Sequence, residues 1–267
     1  MKSPQRVLIT GAGSGLGQAL AHRFAAAGAQ VACVDINLDR VQATMATLTG
    51  EGHAAYAADV GSDDAMDALA ESVLANWGVP DVLINNAGIA SGGDVLEAPI
   101  SEWRHLWEVN VLSVVRGTKL FLPAMLQRGS GHVVSTASFA GLAGAPGLMT
   151  YGVSKAAVVA FSEQLRAECN GTGIDVSVIC PAFFKTNLMQ STVGTEKIKH
   201  LGQKMMDRSP DSLDQVADRI FADINKRRFL IIPTKNEPML WRIKRFFPDW
   251  YYSKLIERAG DMQLRLK

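Results

Sequence analysis

Gln5-Arg6-Val7-Leu8-Ile9-Thr10-Gly11-Ala12-Gly13-Ser14-Gly15-Leu16-Gly17 sets a short apolar run against glycines at alternate positions, and a helical pattern continues from there to Gly28. Strand, glycine turn, helix aims backbone N–H groups and a helix N-terminus at an anion, and glycine lets a phosphate approach the backbone closely. The spacing G-x-x-x-G-x-G, from Gly11 through Gly15 to Gly17, is not the strict G-x-G-x-x-G fingerprint, because Leu16 and Gln18 stand where a third glycine is needed. The position of the turn directly after a strand therefore carries more weight than the glycines themselves.

Outward from that turn, Gln30–Val34 reads as a second strand ending in Asp35, with a helix over 38–48 behind it. An acidic residue about 20 residues beyond a glycine turn is placed to accept hydrogen bonds from an adenosine ribose, and it repels a 2′-phosphate. Neither Ser14 nor Ile36 is basic, so NAD is favoured over NADP. Arg40, one helical turn on, could swing toward such a phosphate, although a solvated helix face is its plainer reading. His53–Ala58 gives a third strand closing in Asp59-Val60; Asp59 either meets an adenine amino group or caps the helix over 63–77. A fourth strand, 81–84, runs into Asn85-Asn86-Ala87-Gly88, amides suited to stitching neighbouring turns together. A long helix is predicted over 101–127, bent near Pro123, with Asn110 in an apolar stretch where its amide must be satisfied. Strands at 131–135 and 174–180 follow, the second stopped by Pro181, and then a helix over 212–226 and an edge strand over 229–232. Near-continuously apolar strands alternating with helices predict a doubly wound parallel α/β sheet, three layers deep, in a single domain.

Between those late strands lies Ser138–Lys155, S-F-A-G-L-A-G-A-P-G-L-M-T-Y-G-V-S-K, whose helix is expected to run on to Asn170. Tyr151 and Lys155 stand four apart and so share a helix face. An ammonium beside a phenol favours the phenolate, drawing a tyrosine down from about 10 toward neutrality. A hydroxyl at Ser138 is placed to bond a substrate oxygen. Y-x-x-x-K alone is two common residues at a common spacing, so the pair depends on what surrounds it.

Composition limits the alternatives. Across 267 residues, 48% apolar with a net charge of +1, nothing favours nucleic acid or another highly charged partner. Cys33, Cys169 and Cys180 are widely spaced, with no C-x-x-C and no histidine cluster, so they read as buried thiols and no metal site is expected. The first strand begins at Gln5, leaving no room for a signal peptide, and no uninterrupted apolar run of about 18 residues occurs. A cytoplasmic chain that does not span a membrane is the expectation.

Taken together and in order, Thr10-Gly11-x-x-x-Gly15-x-Gly17, Asn85-Asn86-Ala87-Gly88, Asn110, Ser138, Tyr151-x-x-x-Lys155 and Pro181 resemble the short-chain dehydrogenase/reductase family of Rossmann-fold oxidoreductases over about residues 5 to 232. The resemblance implies that Tyr151 is the general acid/base, that Lys155 lowers its pKa and bonds the nicotinamide ribose, and that Ser138 orients the substrate oxygen. It implies further that Asn110 holds a water linking Lys155 to solvent. Cofactor contacts implied are Gly11, Ser14, Gly15, Leu16 and Gly17 in the turn, Asp35 at the ribose, Asp59 and Val60 near the adenine, and Asn86, Ala87 and Gly88. Pro181, Phe184 and Thr186 cover the nicotinamide, Thr186 bonding its carboxamide. Pro181-Ala182 departs from the family's usual Pro-Gly. A homodimer or homotetramer is implied as well.

Substrate choice rests on the segments around this centre. Phe183–Arg208 carries Phe183, Phe184, Leu188, Met189, Met205 and Met206, suited to an adaptable apolar lid over about 183–210. Residues 92–100 and 139–149 supply the other walls, and Lys185 is the one candidate clamp for a carboxylate. A hydrophobic alcohol or ketone is expected, and the family resemblance implies a steroid, retinoid or fatty-acyl type, since relatives with similar tails act on such compounds. A domain over 1–235 leaves an extension, 236–267, in which aromatics mix with basic residues. That extension either packs over an interface or the active-site mouth, or rests on an anionic bilayer. Competing functions are a non-catalytic NAD-binding regulator, an NADP-dependent carbonyl reductase, and a sugar-nucleotide epimerase or dehydratase, whose chains are usually longer.

Overall fold

A computed structural model describes residues 5–184, 202–204 and 206–261. Seven strands form one all-parallel sheet in the order β3-β2-β1-β4-β5-β6-β7. They are β1 (Arg6–Thr10), β2 (Gln30–Asp35), β3 (Ala54–Ala57), β4 (Val82–Asn85), β5 (Gly131–Thr136), β6 (Ile174–Ile179) and β7 (Leu230–Ile231). The central strands read as near-continuously apolar because both of their faces are covered, whereas the edge strand β3 is only partly buried. In β1, Val7 and Ile9 enter one core cluster and Leu8 the opposite one, the two-residue alternation of a strand between two helical layers.

On the first face lie α1 (Gly15–Ala26) and α8 (Leu213–Asn225), with Phe24 and Phe221 edge to face at 4.9 Å between centroids. On the second lie α3 (Asp63–Asn76) and α5 (Ser113–Arg128), contributing Met66, Leu69, Val73, Phe121 and Met125. The helix starts follow capping chemistry. Asn37 accepts the Arg40 N–H ahead of α2 (Leu38–Ala46), Ser62 accepts the Ala65 N–H ahead of α3, and Ser212 with Gln215 forms a capping box at α8.

The single long helix expected over 101–127 is present as one continuous run, Ile100–Arg128, but it is not regular throughout. α4 (Ile100–Trp107) passes through a π-helical turn, Glu108–Leu112, before α5, and the interruption centres on Asn110. Pro123 lies within α5 without ending it. After β5 a short α6 (Ala140–Ala143) precedes α7 (Met149–Glu168), which carries Tyr151 in its first turn. The strand order reverses between β1 and β4, where the carboxyl ends open a crevice, the customary ligand position in such sheets. Beyond β7, α9 (Glu237–Phe246) and α10 (Pro248–Asp261) fold back. Lys244 Nζ donates to the Leu142 carbonyl, and Tyr252 lies against Gly144.

Candidate active site

The carboxyl ends of five neighbouring strands, β2, β1, β4, β5 and β6, bring together most of the residues singled out from sequence. In the turn after β1, Gly11 adopts φ of 69°, and a Cβ on Gly17 would stand 2.2 Å from the Gly11 carbonyl oxygen, so glycine is obligatory at this packing. Ser14, at the N-cap of α1, makes no side-chain capping bond, and no acidic residue occupies the first turn, unlike α2 and α3. The leading N–H groups of α1 are thus left to an anion, and a Cβ on Gly15 would meet nothing within 4 Å. Leu16 is partly buried in the cluster that also takes Phe184.

Asp35 ends β2 and holds this turn. Its Oδ2 accepts the Gly13 N–H at 3.2 Å and its Oδ1 the Asn37 N–H at 3.1 Å. A Cβ on Gly13 would stand 2.8 Å from the Arg40 Cβ and 2.9 Å from the Asp35 Cγ, so acid and base flank one point of the loop. Asp59 does not cap α3, a role taken by Ser62; its Oδ1 instead accepts the Gly61 N–H at 2.8 Å, and Val60 beside it is buried.

Asn86 stitches three strand ends. Its side chain donates to the Thr10 carbonyl at 3.0 Å and accepts from Thr136 Oγ1 at 3.2 Å, while Thr10 Oγ1 accepts the N–H groups of Asn86 and Ala87. Asn110 is fully buried, with both amide hydrogens donated and its oxygen accepting one bond. Oδ1 accepts the Ile89 N–H at 2.9 Å, and Nδ2 donates to the Ile89 carbonyl at 2.9 Å and to Ser154 Oγ at 3.1 Å. These sideways bonds fix the π turn against the loop after β4. A Cβ on Gly88 would lie 3.0 Å from Asn110 Oδ1 and 3.2 Å from Lys155 Nζ, so only glycine passes between them without displacement.

Lys155 is 4% exposed, and its ammonium donates to the Thr136 carbonyl at 2.9 Å. Burial brings its pKa down to about 8. Nζ stands 5.9 Å from the centroid of the Tyr151 ring. Ser138, just past β5, accepts the Ala140 N–H at 3.1 Å and donates to the Pro181 carbonyl at 3.3 Å. The expectation of a phenol drawn toward neutrality is not met by the protein's own groups. Burial pushes Tyr151 up, and the neighbouring Ser138 hydroxyl opposes this only in part. Desolvation disfavours both charged partners at once. Cys180, fully buried, is pushed up to about 12 by that burial and stays a neutral thiol.

Two features went unread in the sequence. One is the Thr136 carbonyl that seats Lys155, since a backbone acceptor leaves no mark on residue type. The other is a cluster on the far side of Tyr151. Glu102 Oε1, on α4, accepts from the Ser91 hydroxyl and, at 2.9 Å, from Thr150 Oγ1. Thr186 and Lys185 lie outside the described residues.

The family description short chain dehydrogenase matches residues 5–197. A Mycobacterium tuberculosis protein named "Probable oxidoreductase EphD" is 35% identical over 255 residues, covering 91% of this chain and 43% of its own length. The chain thus spans under half the length of that relative. Meso-2,3-butanediol dehydrogenase of Serratia marcescens is 37% identical over 182 residues, covering 68% of this chain and 72% of that protein. A solved short-chain dehydrogenase/reductase from Burkholderia phymatum, in complex with NAD, superposes with a TM-score of 0.85 at 29% identity, covering 91% of this chain and 93% of that one.

Proposed function

The chain belongs to the short-chain dehydrogenase/reductase family, and on that premise we propose that it transfers a hydride between NAD(H) and a hydrophobic alcohol or ketone, with Tyr151 as general acid/base. The observation that carries the reading is the buried Lys155, seated on the Thr136 carbonyl one helical turn from Tyr151, with its ammonium 5.9 Å from the centre of the phenol ring.

The dinucleotide fits the turn after β1. The uncapped N-terminus of α1 would take its phosphates, Asp35 would accept the ribose hydroxyls, and Asn86-Ala87-Gly88 would line its far half. When bound it supplies the hydride carrier and, oxidised, a positive charge. The protein's part is placement and proton handling. Ser138 and Tyr151 together hold the substrate oxygen, Tyr151 gives or takes the proton at that oxygen, and Lys155 provides the nearby cation. NAD rather than NADP is favoured by the Asp35 carboxylate in the loop; Arg40 beside it is the feature that favours the opposite choice. Parallel assays with NADH and NADPH separate the two, and loss of NADH preference in Asp35→Ala is the expected result.

Support for an apolar substrate comes from the walls. Asp94 and Glu97 satisfy each other's turn, Asp94 Oδ1 accepting the Leu96 and Glu97 N–H groups, so the acidic pair of that wall is spent locally. Leu96 and Ile100 remain 77% and 65% exposed. We assign the catalytic unit to residues 1–235 and the extension, 236–267, to closure of the mouth, since α9 bears on α6. Assembly as a homo-oligomer and a cytoplasmic setting belong to the same proposal.

Replacing Tyr151 by Phe tests the assignment. NADH binding, followed by its fluorescence, is expected to persist, while turnover of ketones such as acetophenone or a ketosteroid falls at least ~100-fold. An unchanged rate would overturn the role of Tyr151. A nucleotide-binding regulator would instead show no turnover in the native protein.

A further inference from the structure

Ser91 and Thr150 are each 2% exposed, and each is the hydroxyl end of a wall of the crevice. Ser91 lies in the loop after β4, three residues beyond Gly88; Thr150 immediately precedes Tyr151. Their hydroxyls are 3.2 Å apart and both donate to the same atom, Oε1 of Glu102. Backbone pairing continues the join. The Gly93 N–H donates to the Gly147 carbonyl at 2.9 Å, and the Met149 N–H donates to the Gly93 carbonyl at 3.1 Å.

We propose that Glu102 is a positioning residue for the reaction, acting as a clamp that fixes the first turn of α7, and with it Tyr151, against the loop after β4. The inference rests on the reading of Tyr151 as the acid/base. Asn110 holds that loop and α7 from the Lys155 side, through Ile89 and Ser154. Glu102 holds the same two elements from the Thr150 side, so the phenol is fixed between two anchors. Since small misplacements of a reacting group cost much of the rate, the clamp bears on turnover more than on cofactor binding.

A distinctive consequence follows from both bonds meeting at one oxygen. A glutamine offers the same acceptor with the same two lone pairs, whereas leucine offers none. Turnover of NADH with acetophenone or a ketosteroid is therefore measured in Glu102→Leu, Glu102→Gln and the near-isosteric Thr150→Val. Leucine is expected to lower kcat about tenfold with KM for NADH within about twofold, glutamine to restore most of that rate, and valine to fall between. Amide hydrogen exchange over residues 147–152 is followed in the same proteins, with faster exchange in the leucine variant and native exchange in the glutamine variant. Equal damage by glutamine and leucine would refute the clamp in favour of a role for the charge. A leucine variant with native kcat, or with native exchange at 147–152, would also refute it. If the native protein turns over no alcohol or ketone, the proposed function fails, and the exchange result still decides whether the clamp exists.

Discussion

His132 and Lys155 are both buried bases, and burial draws both toward their neutral forms, to about 3 and about 8. His132 sits in β5 at the end away from the crevice, fully buried, with Nε2 2.7 Å from Ser177 Oγ. Its folded pKa lies below its unfolded value, so the unfolded chain binds the proton first as pH falls. Stability contributed by neutral His132 is complete above about 6.5 and drains away toward 3, at no more than about 1.4 kcal/mol per pH unit. Urea unfolding between pH 6.5 and 4.5 is expected to show a shallower loss in His132→Gln than in the native chain; equal slopes would exclude His132 as the source. For Lys155 the same sign makes stability rise with pH between about 8 and the unfolded value near 10.5. Tyr151, raised in the fold, reverses the trend above about 10. Residue type and spacing were enough to pair Tyr151 with Lys155, because four residues is one helical turn. The direction of the phenol's shift was not legible, because desolvation is set by what packs around the pair.

At the scale of elements, the π turn at Glu108–Leu112 departs most from the sequence reading. Periodicity continues through it, so one regular helix, bent only near Pro123, was the natural expectation. At the irregularity the contacts are tertiary: one asparagine makes three hydrogen bonds with Ile89 and Ser154. π-helical turns of this kind recur at functional sites. Asn110→Ala strands the Ile89 N–H and carbonyl in the interior. The expected loss is about 2–4 kcal/mol in urea unfolding, since each buried group left unpaired costs about 1–3 kcal/mol. A loss under about 0.5 kcal/mol would mean that the loop re-pairs elsewhere. The strands, by contrast, were legible nearly to the residue, because a strand covered on both faces has few polar positions to blur it. The glycine turn was legible too, and Asp35 with it. Its grip on the Gly13 N–H was not, since a side chain's choice of backbone partner depends on how the turn folds.

The molecule as a whole shows an asymmetric surface. Met239, Phe246, Phe247, Trp250 and Ile256, all on or between α9 and α10, are 57–70% exposed, with Arg242, Arg245 and Lys254 among them. That favours, as a second reading of the extension, contact with an anionic bilayer by the outer face of helices whose inner face bears on α6. Phe247→Glu with Trp250→Glu is expected to leave stability within about 0.5 kcal/mol and to abolish co-sedimentation with phosphatidylserine vesicles. Equal sedimentation of the native and double-variant proteins, or none by either, would end the bilayer reading. Aromatic and basic residues were legible there as a mixture, but which of them faced outward required the fold. The pairing of β1 with β4 sets Val7, Leu8 and Ile9 beside Val82, Leu83 and Ile84. Two complete strand–helix units must be bypassed before that seam can close, and long-range parallel pairing of this kind is slow to form. The dinucleotide crevice straddles that seam, so during synthesis it does not exist until residue 84 and its followers have left the ribosome. If the proposed function holds, recovery of dinucleotide binding in refolding, followed by NADH fluorescence, is expected to lag behind recovery of helical signal.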